Sequence, residues 1–502
     1  MVEVLGRALS RVVQWTSFTR GEIGPDLAAS WEQPDQQTLI LHLDRAARWQ
    51  DRAPVNGRTF TAADLVAHIE RMLALAAGGK LPLNQRAADW ATIARVSAPA
   101  DSTVTIATTR PDPFLAGTLA GRFALVQAPE AVRTFEAHWQ EAKPEQVIGT
   151  GPFLFESNTS GVLAFTAFAG GHRAPLLAGL EVGQPANEAA LFEAKRLDEA
   201  LTRDRRDAAM IEAQLGTQVQ QLARFEESPV LSTLFVGSPP WNNPSLTLAL
   251  SAALNRRALS ARLFGSRAAA CGPASPATPA FALSDNELAA YPGYREQYAA
   301  DLSDAKARWV AAGGPGLGPI TIDFPSVFDP RYSASSVVVE MLNLALGAQF
   351  HAAVESYTTI SQKVLDRRYG NGNAAFWFGW GPQLDLPDAS RQLAETYSPD
   401  SATGAMAGLG SFPDANAAGR VTSLSQQVRL EFETQRRIAL AKEMGAAVLG
   451  AGGMGVLPWL LQRSEVFRWP YYGGSKPTPF WGQHLDAGAW LDPSAASYGG
   501  RP

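Results

Sequence analysis

The spacing of apolar and polar residues divides the chain into alternating helices and strands. Residues 2–13, VEVLGRALSRVV, are amphipathic at helical spacing and predict a short opening helix followed by strands. Thr38–Leu43, TLILHL, is a compact run of β-branched and aliphatic residues and predicts a strand. Residues 103–109, TVTIATT, predict another, stopped by Arg110-Pro111. Between them, over residues 59–75, Leu65, Val66, Ile69, Met72 and Leu73 share one helical face. Thr61 can cap that helix, with Asp64 three residues on in the place of the usual capping-box Glu. From residue 147 the pattern changes. VIGTGPFLFES is a Gly-rich turn running into a strand, and LAFTAF (163–168) is its hairpin partner. Residues 187–221 are polar with helical spacing, and SPPWNNP (238–244) has the composition of a linker. It leads into a helix over 245–264, where Leu246, Leu250, Leu254 and Ala258 step by four. Residues 266–292, rich in Ala, Pro and Ser, predict a long ordered loop. Next come a helix over 303–312 closed by Gly313-Gly314, a strand ITIDF and a helix over 334–346. AAFWFGW (374–380) predicts an apolar strand feeding the loop GPQLDLPD. A helix over 426–450 and an aromatic tail over 456–502 close the chain, and no internal repeat is found. The alternation predicts an α/β chain in several lobes.

Composition narrows the class. At 502 residues, the usual domain size of about 150 gives roughly three domains or two large ones. With 46% hydrophobic and 18% charged residues, the chain can build a large core and is not a disordered one. Lys and Arg number 43 against 48 Asp and Glu, a net charge of −5, and no basic run occurs, which argues against a nucleic-acid partner. The single cysteine, Cys271, excludes an intramolecular disulfide and a Cys-based zinc site. Two uncharged runs need a reading. Residues 228–255 are broken by prolines. Residues 444–461, MGAAVLGAGGMGVLPWLL, approach membrane-spanning length but contain five glycines and a proline. The second run predicts a helix ending in a Gly-rich loop, followed by a buried strand. The first residues lack the basic and apolar regions of a secretory signal, so either the protein is cytosolic or its signal lies outside this sequence.

Chemistry-bearing motifs are few. The six histidines, His42, His68, His138, His172, His351 and His484, show no ligand spacing, and no metal or other cofactor is expected. No nucleophile elbow or phosphate-binding loop occurs. One G-x-G-x-x-G match, residues 450–455, follows a helix, whereas a dinucleotide fingerprint follows a strand and opens a helix, so it predicts a flexible loop. Gly149-Thr150-Gly151 predicts a turn rather than a phosphate cradle. Asp385 and Asp388 sit in a Pro-containing loop, where Asp makes Asx-turns more often than acid–base pairs.

The order of several segments says more. LAASWE is followed by HLDRAARWQDRAPVNGRTFTAADLVAHIERM, in which Trp49, Asp51, Pro54, Val55, Thr61, Ala62, Asp64 and Leu65 stand out. Then come GTGPFLF, ALSAALNRRAL, DAKARWVAAGG and WFGWGPQLDLPD. Together, over residues 27–388, these resemble extracellular solute-binding protein family 5, which includes the dipeptide-, oligopeptide- and nickel-binding components of ABC importers. A five-residue insertion, 56–60, separates Val55 from the Thr-Ala-x-Asp box. The resemblance implies a periplasmic-binding-protein-like α/β fold, two α/β lobes around a ligand cleft with an additional α/β domain. Residues 1–145 would be the additional domain, 146–236 with 456–502 lobe I, and 237–455 lobe II. It implies a substrate-binding component that captures a peptide-like or other small polar solute and delivers it to ABC permease subunits in the membrane. Such a component is a monomer outside the cytoplasmic membrane, without a nucleic-acid partner or catalytic group. The two competing readings are a cytoplasmic ligand sensor that reuses the fold and an enzyme.

The resemblance also ranks residues. In peptide-binding members a carboxylate stands three residues after the Trp of the Gly-Trp segment and pairs with the ligand's ammonium. Here Trp380 leads to Gln383, a neutral amide, with Asp385 two residues further on. Trp377 and Trp380, at i and i+3, would point to opposite faces of a strand, and Trp380 is the candidate for the cleft. Trp459 falls where members carry an aromatic near the cleft. Arg368, ahead of a Gly-rich turn, is a candidate for a ligand carboxylate, against the alternative of a solvated charge. Trp49 and Asp64 read as structural, a core anchor and a charge at a helix N-terminus. Family members begin with a lobe I strand ahead of the segment matching residues 1–30, so such a strand and the signal are expected upstream of this sequence.

Overall fold

A computed structural model describes residues 2–499 apart from 19–20, 78–86, 137–142, 184, 186, 203–204, 227, 330–332, 367, 370–373, 382–386 and 476–485. Contacts divide the chain into two units, Met1–Arg224 with Glu465–Pro502, and Phe225–Ser464.

The first unit contains a four-stranded antiparallel sheet in the order Ala28–Asp35, Thr38–Leu43, Thr103–Thr108, Ile93–Ala100. The two predicted strands are its central pair. In both, side chains alternate between half-buried and buried, so one face forms the core. The helix Ala62–Ala77 starts where its capping chemistry dictates. Asp64 Oδ2 accepts from the Thr61 amide at 2.9 Å and from Trp49 Nε1 at 3.3 Å. Both Asp64 oxygens also accept from the Arg58 guanidinium, at 2.6 and 2.8 Å. Trp49 is fully buried, so it and Asp64 are structural, as expected.

A second sheet of this unit is the meander Phe153–Thr159, Val162–Ala167, Gly179–Val182, which contains the predicted hairpin. The Gly-Thr-Gly turn before it is a close backbone crossing. A Cβ on Gly149 would stand 2.2 Å from the Ala8 carbonyl oxygen, and one on Gly151 2.6 Å from the Ala8 carbonyl carbon. The opening helix, Val2–Ala8, ends there. Buried Gln50 ties the crossing together: its Nε2 donates to the carbonyls of Ala8 and Phe153, and its Oε1 accepts from the Gly149 amide.

Residues 187–221 are not one helical stretch. Helices Glu188–Glu193 and Arg205–Leu215 flank a strand, Glu199–Thr202, which pairs antiparallel with the end of the strand Val456–Arg468. Pairing with a distant strand overrides the local helical pattern, because it buries Ala200 and Thr202 and sets Arg468 against Glu199. Phe192, Phe467, Trp469 and Tyr471 form the core beneath.

The second unit is built on one mixed sheet. Its order is the first half of Val456–Arg468, then Val230–Thr233, Phe376–Trp380, Pro319–Pro325 and Gln349–Glu355. The last three are parallel to one another, and Val230–Thr233 is antiparallel to both its neighbours. The expected helix 245–264 is two helices, Pro244–Ala253 and Arg256–Phe264. Asn255 breaks it, since its side-chain oxygen accepts from the Ala258 amide at 3.0 Å and starts a new helix. The expected helix 426–450 likewise divides into Ala415–Val428 and Thr434–Gly450, with Glu433 capping the second through the Arg436 amide. The loop 266–292 holds a three-residue strand, Ala268–Ala270, and a short helix, Asp285–Leu288. The linker-like SPPWNNP is anchored in the core: Trp241 is fully buried and its Nε1 donates to the Ala374 carbonyl at 2.9 Å. The uncharged run 444–461 is a helix, a turn and a buried strand, as predicted. The turn places Gly452, Gly453 and Gly455 at φ of +77°, +81° and +78°, so the G-x-G-x-x-G match is a left-handed turn closing a helix. Among the described residues no helix is long and apolar enough to cross a membrane.

Candidate functional site

The three parallel strands of the second unit end together, at Pro325, Glu355 and Trp380. The chain leaving Pro319–Pro325 passes through the helix Ala334–Leu346 to Gln349–Glu355 on one side. The chain leaving Phe376–Trp380 passes through four helices to Val456–Arg468 on the other side. Adjacent strands thus send their connections in opposite directions, which makes this rim a topological switch point. Open α/β sheets bind ligands outside the carboxyl ends of their strands at such points.

One face of the sheet near the rim is aromatic. Trp380 is half-buried, and Phe328, fully buried, meets it edge-on with centroids 4.8 Å apart. Phe378 packs on Phe328 and Phe324. Trp459 is 1% exposed and stacks on Phe378 at 6.4 Å, while its Nε1 donates to Ser232 Oγ at 2.8 Å. Trp459 therefore lies inside the unit, beneath the aromatic layer that carries Trp380. Its other side is covered by Arg256, whose guanidinium sits 4.8 Å from the Trp459 ring and 3.8 Å from that of Tyr294.

Arg256 is a residue that sequence reasoning quoted only as part of a helix motif. It is 6% exposed, and its hydrogen bonds go to neutral oxygens: the carbonyls of Ser251, Gly293 and Pro458 and the Ser251 hydroxyl. The NRRAL pattern carried the signal: a helix-capping Asn followed by an Arg that turns back into the core. Cys271, nearby and buried, is pushed up to about 12 by burial against a small opposing effect of Arg256, so its thiol stays protonated and inert.

The opposite face of the sheet is polar at the same rim. Asp323 and Trp377 are register partners there, so Trp377 and Trp380 do point to opposite faces. Lys363 Nζ lies 2.8 Å from Asp323 Oδ2 and 2.8 Å from Glu355 Oε1. The Tyr369 hydroxyl donates to the same Asp323 Oδ2. Burial, with Asp323 adding to it, pushes the Tyr369 phenol well above its ordinary value. Burial pulls Lys363 down, but its bonds to Asp323 and Glu355 outweigh that and raise it.

Of the other expected site residues, Arg368 directs a two-thirds exposed guanidinium to Asp366 at 3.4 Å. Gln383 and Asp385 lie outside the described residues. Asp388 is structural: Oδ1 caps the helix Ala389–Tyr397 through the Ser390 amide and Oδ2 pairs with Arg437 at 2.8 Å. Among the described residues no group of three or more His, Cys, Asp or Glu is placed to hold a metal ion.

Comparison with known families decides the assignment. The sequence profile of the bacterial extracellular solute-binding proteins, family 5 Middle, matches residues 22–403. The chain belongs to this family. As a family 5 solute-binding protein, it is the substrate-binding component of an ABC importer. Family members are binding proteins, extracellular or periplasmic. Solved structures share the fold over nearly the whole length. HbpA2 from Haemophilus parasuis superposes with a TM-score of 0.74 at 17% identity, over 97% of this chain and 94% of that one. A dipeptide-binding protein from Pseudoalteromonas sp. SM9913, in complex with Met-Leu, gives 0.73 at 16%, over 98% and 95%. NikA from Brucella suis, in complex with Fe(III)-EDTA, gives 0.74 at 17%, over 98% and 95%. At these identities the likeness establishes the fold, the expected α/β architecture of family 5. Curated sequences gave no match.

Proposed function

We propose that this family 5 protein captures a small polar solute, peptide-like in the first instance, at the carboxyl-terminal rim of its second unit, and delivers it to permease subunits in the membrane. The observation that carries this reading is Trp380. Its ring stays partly exposed at the end of a central strand, held edge-on by the fully buried Phe328, which itself packs on Phe378. A rigid aromatic platform at a rim whose other face is polar suits a solute with both apolar and polar parts. The same fold is solved with the dipeptide Met-Leu, the peptide STSA and Fe(III)-EDTA, which supports a small polar solute as the class. In this reading Gln383 and Asp385 continue the site beyond Trp380. Arg368 meets a ligand carboxylate, and Trp459 supports the platform from within the unit. Residues 1–145 serve as the additional domain, 146–236 with 456–502 as lobe I, and 237–455 as lobe II. The protein acts as an extracytoplasmic monomer, without a nucleic-acid partner or enzymatic activity.

The test is thermal unfolding of the purified chain against di-, tri- and oligopeptides, sugars and metal chelates. A solute bound by the native state alone, at 100 times its Kd, stabilises by about 2.7 kcal/mol. The expected result is a class-specific shift in Tm that Trp380→Ala abolishes. A shift that Trp380→Ala leaves intact would move the site elsewhere, and no shift with any class would overturn the reading of the solute.

A further inference from the structure

We propose that the side-chain cluster Asp323, Glu355, Lys363 and Tyr369 receives a cationic group of the solute, an ammonium or a guanidinium. The inference rests on the rim of the second unit being the ligand site, and it names the chemistry of one end of the ligand. The first argument is charge. Two carboxylates share one ammonium, since Lys363 Nζ bridges Asp323 Oδ2 and Glu355 Oε1 at 2.8 Å each. The remaining donor, the Tyr369 hydroxyl, is neutral and goes to the oxygen of Asp323 that Lys363 already holds. The cluster keeps one net negative charge.

The second argument is the unused acceptors. Asp323 Oδ1 and Glu355 Oε2 are shielded from water and, among the described residues, accept no hydrogen bond. The Asp323 side chain is only 2% exposed. A buried carboxylate oxygen without a donor is costly, and such groups in folded proteins call for a physical reason. An incoming cation with several N–H donors supplies both the charge and the bonds that are missing.

The third argument is place. Glu355 pairs with Pro325, and the Pro325 ring lies against Gly379, 3.0 Å from where a Cβ there would stand. Glu355, Pro325 and Gly379 thus lie side by side at the ends of three adjacent strands. With strands about 4.8 Å apart, Glu355 and Gly379 are about 10 Å apart along the rim, and Trp380, the next residue, turns its ring to the opposite face of the sheet. A solute seated over the strand ends meets Glu355 on the polar side of the rim and Trp380 on its aromatic side. Glu355, its side chain 27% exposed, is the carboxylate of the cluster nearest solvent, and it meets the ligand by turning its shielded Oε2 outward. Asp323 is a positioning residue that holds Lys363 beneath it.

The experiment uses probe pairs that differ only in the cation: Ala-Leu with N-acetyl-Ala-Leu, glucosamine with N-acetylglucosamine, and putrescine with its diacetyl form. Each is titrated against the full chain by calorimetry and thermal unfolding, in the wild type, Glu355→Gln and Asp323→Asn. Each substitution keeps the side-chain shape and removes the net negative charge. In any pair that binds, the free amine is expected to bind at least tenfold more tightly than its acetylated partner, and Glu355→Gln to abolish that preference. Should Glu355→Gln not fold, the same loss in Asp323→Asn carries the test. Equal affinity for both members of each pair, or a preference that survives both substitutions, would overturn this inference and leave the proposed function standing. Binding by none of these probes nor by the wider solute panel would overturn both.

Discussion

Single residues carry most of what is specific to this chain. His68 is one example. It is 3% exposed, lies edge-on to Trp90 with centroids 6.1 Å apart, and is the acceptor for the Gln127 amide through Nδ1 at 3.5 Å. Burial, reinforced by Arg71, pulls its pKa down to about 3. The native state holds it neutral while an unfolded chain takes up a proton near pH 6.5. Stability from this group is therefore complete above about pH 6.5 and is lost as pH falls toward 3. The slope is about 1.4 kcal/mol per pH unit. Denaturation of the wild type and His68→Gln between pH 7 and 4 is expected to show a shallower acid dependence in the variant. Equal slopes would place the proton elsewhere. The structural roles of Trp49 and Asp64 were legible in the sequence because both sit in a segment that resembles the family, with Asp64 at a helix start marked by its cap. The sequence did not identify Arg256, His68 or Asp323, whose roles come from partners distant in sequence. Asp323 sat in plain view inside ITIDF, but nothing in that strand announces that Lys363 and Glu355 will meet it.

Elements follow the same division between local and distant causes. Thr38–Leu43, Thr103–Thr108 and Ala334–Leu346 form where periodicity predicts them, because burial of one face decides each. The two helices that proved to be divided share one cause, a capping residue inside an otherwise helical pattern. Asn255 and Glu433 each accept the backbone amide three positions on and so begin a helix where the apolar steps alone would continue one. Asn255→Ala is expected to cost about 1 kcal/mol, seen as a lower urea midpoint with an unchanged slope. A stability gain would mean that the break is imposed by packing rather than by the cap. The strand Glu199–Thr202 could not be read locally at all, since its four residues form a strand only by pairing with Arg468 through Glu465.

At the scale of the molecule, the segments that revealed the family are spread over residues 27–388, and both the profile match and the fold agree with them. The division into units was less legible. One boundary, between Ser464 and Glu465, falls inside the unbroken strand Val456–Arg468, where no linker composition marks it. That strand has a consequence for how the chain is made. The second unit is one continuous stretch, whereas the helices Glu188–Glu193 and Arg205–Leu215 meet their core partners Phe467, Trp469 and Tyr471 only after the rest of the chain has been synthesised. At about 5–20 residues per second, the ribosome takes about ten to fifty seconds to reach those partners. Nascent chains stalled with Ser464 clear of the exit tunnel are expected to protect the second unit from protease and to leave residues 188–215 open to cleavage. Chains that include residues 465–502 outside the tunnel should protect both. The protein would then spend its synthesis with an unfinished aromatic core near the middle of its sequence, a handle that a chaperone can hold until the last strand arrives.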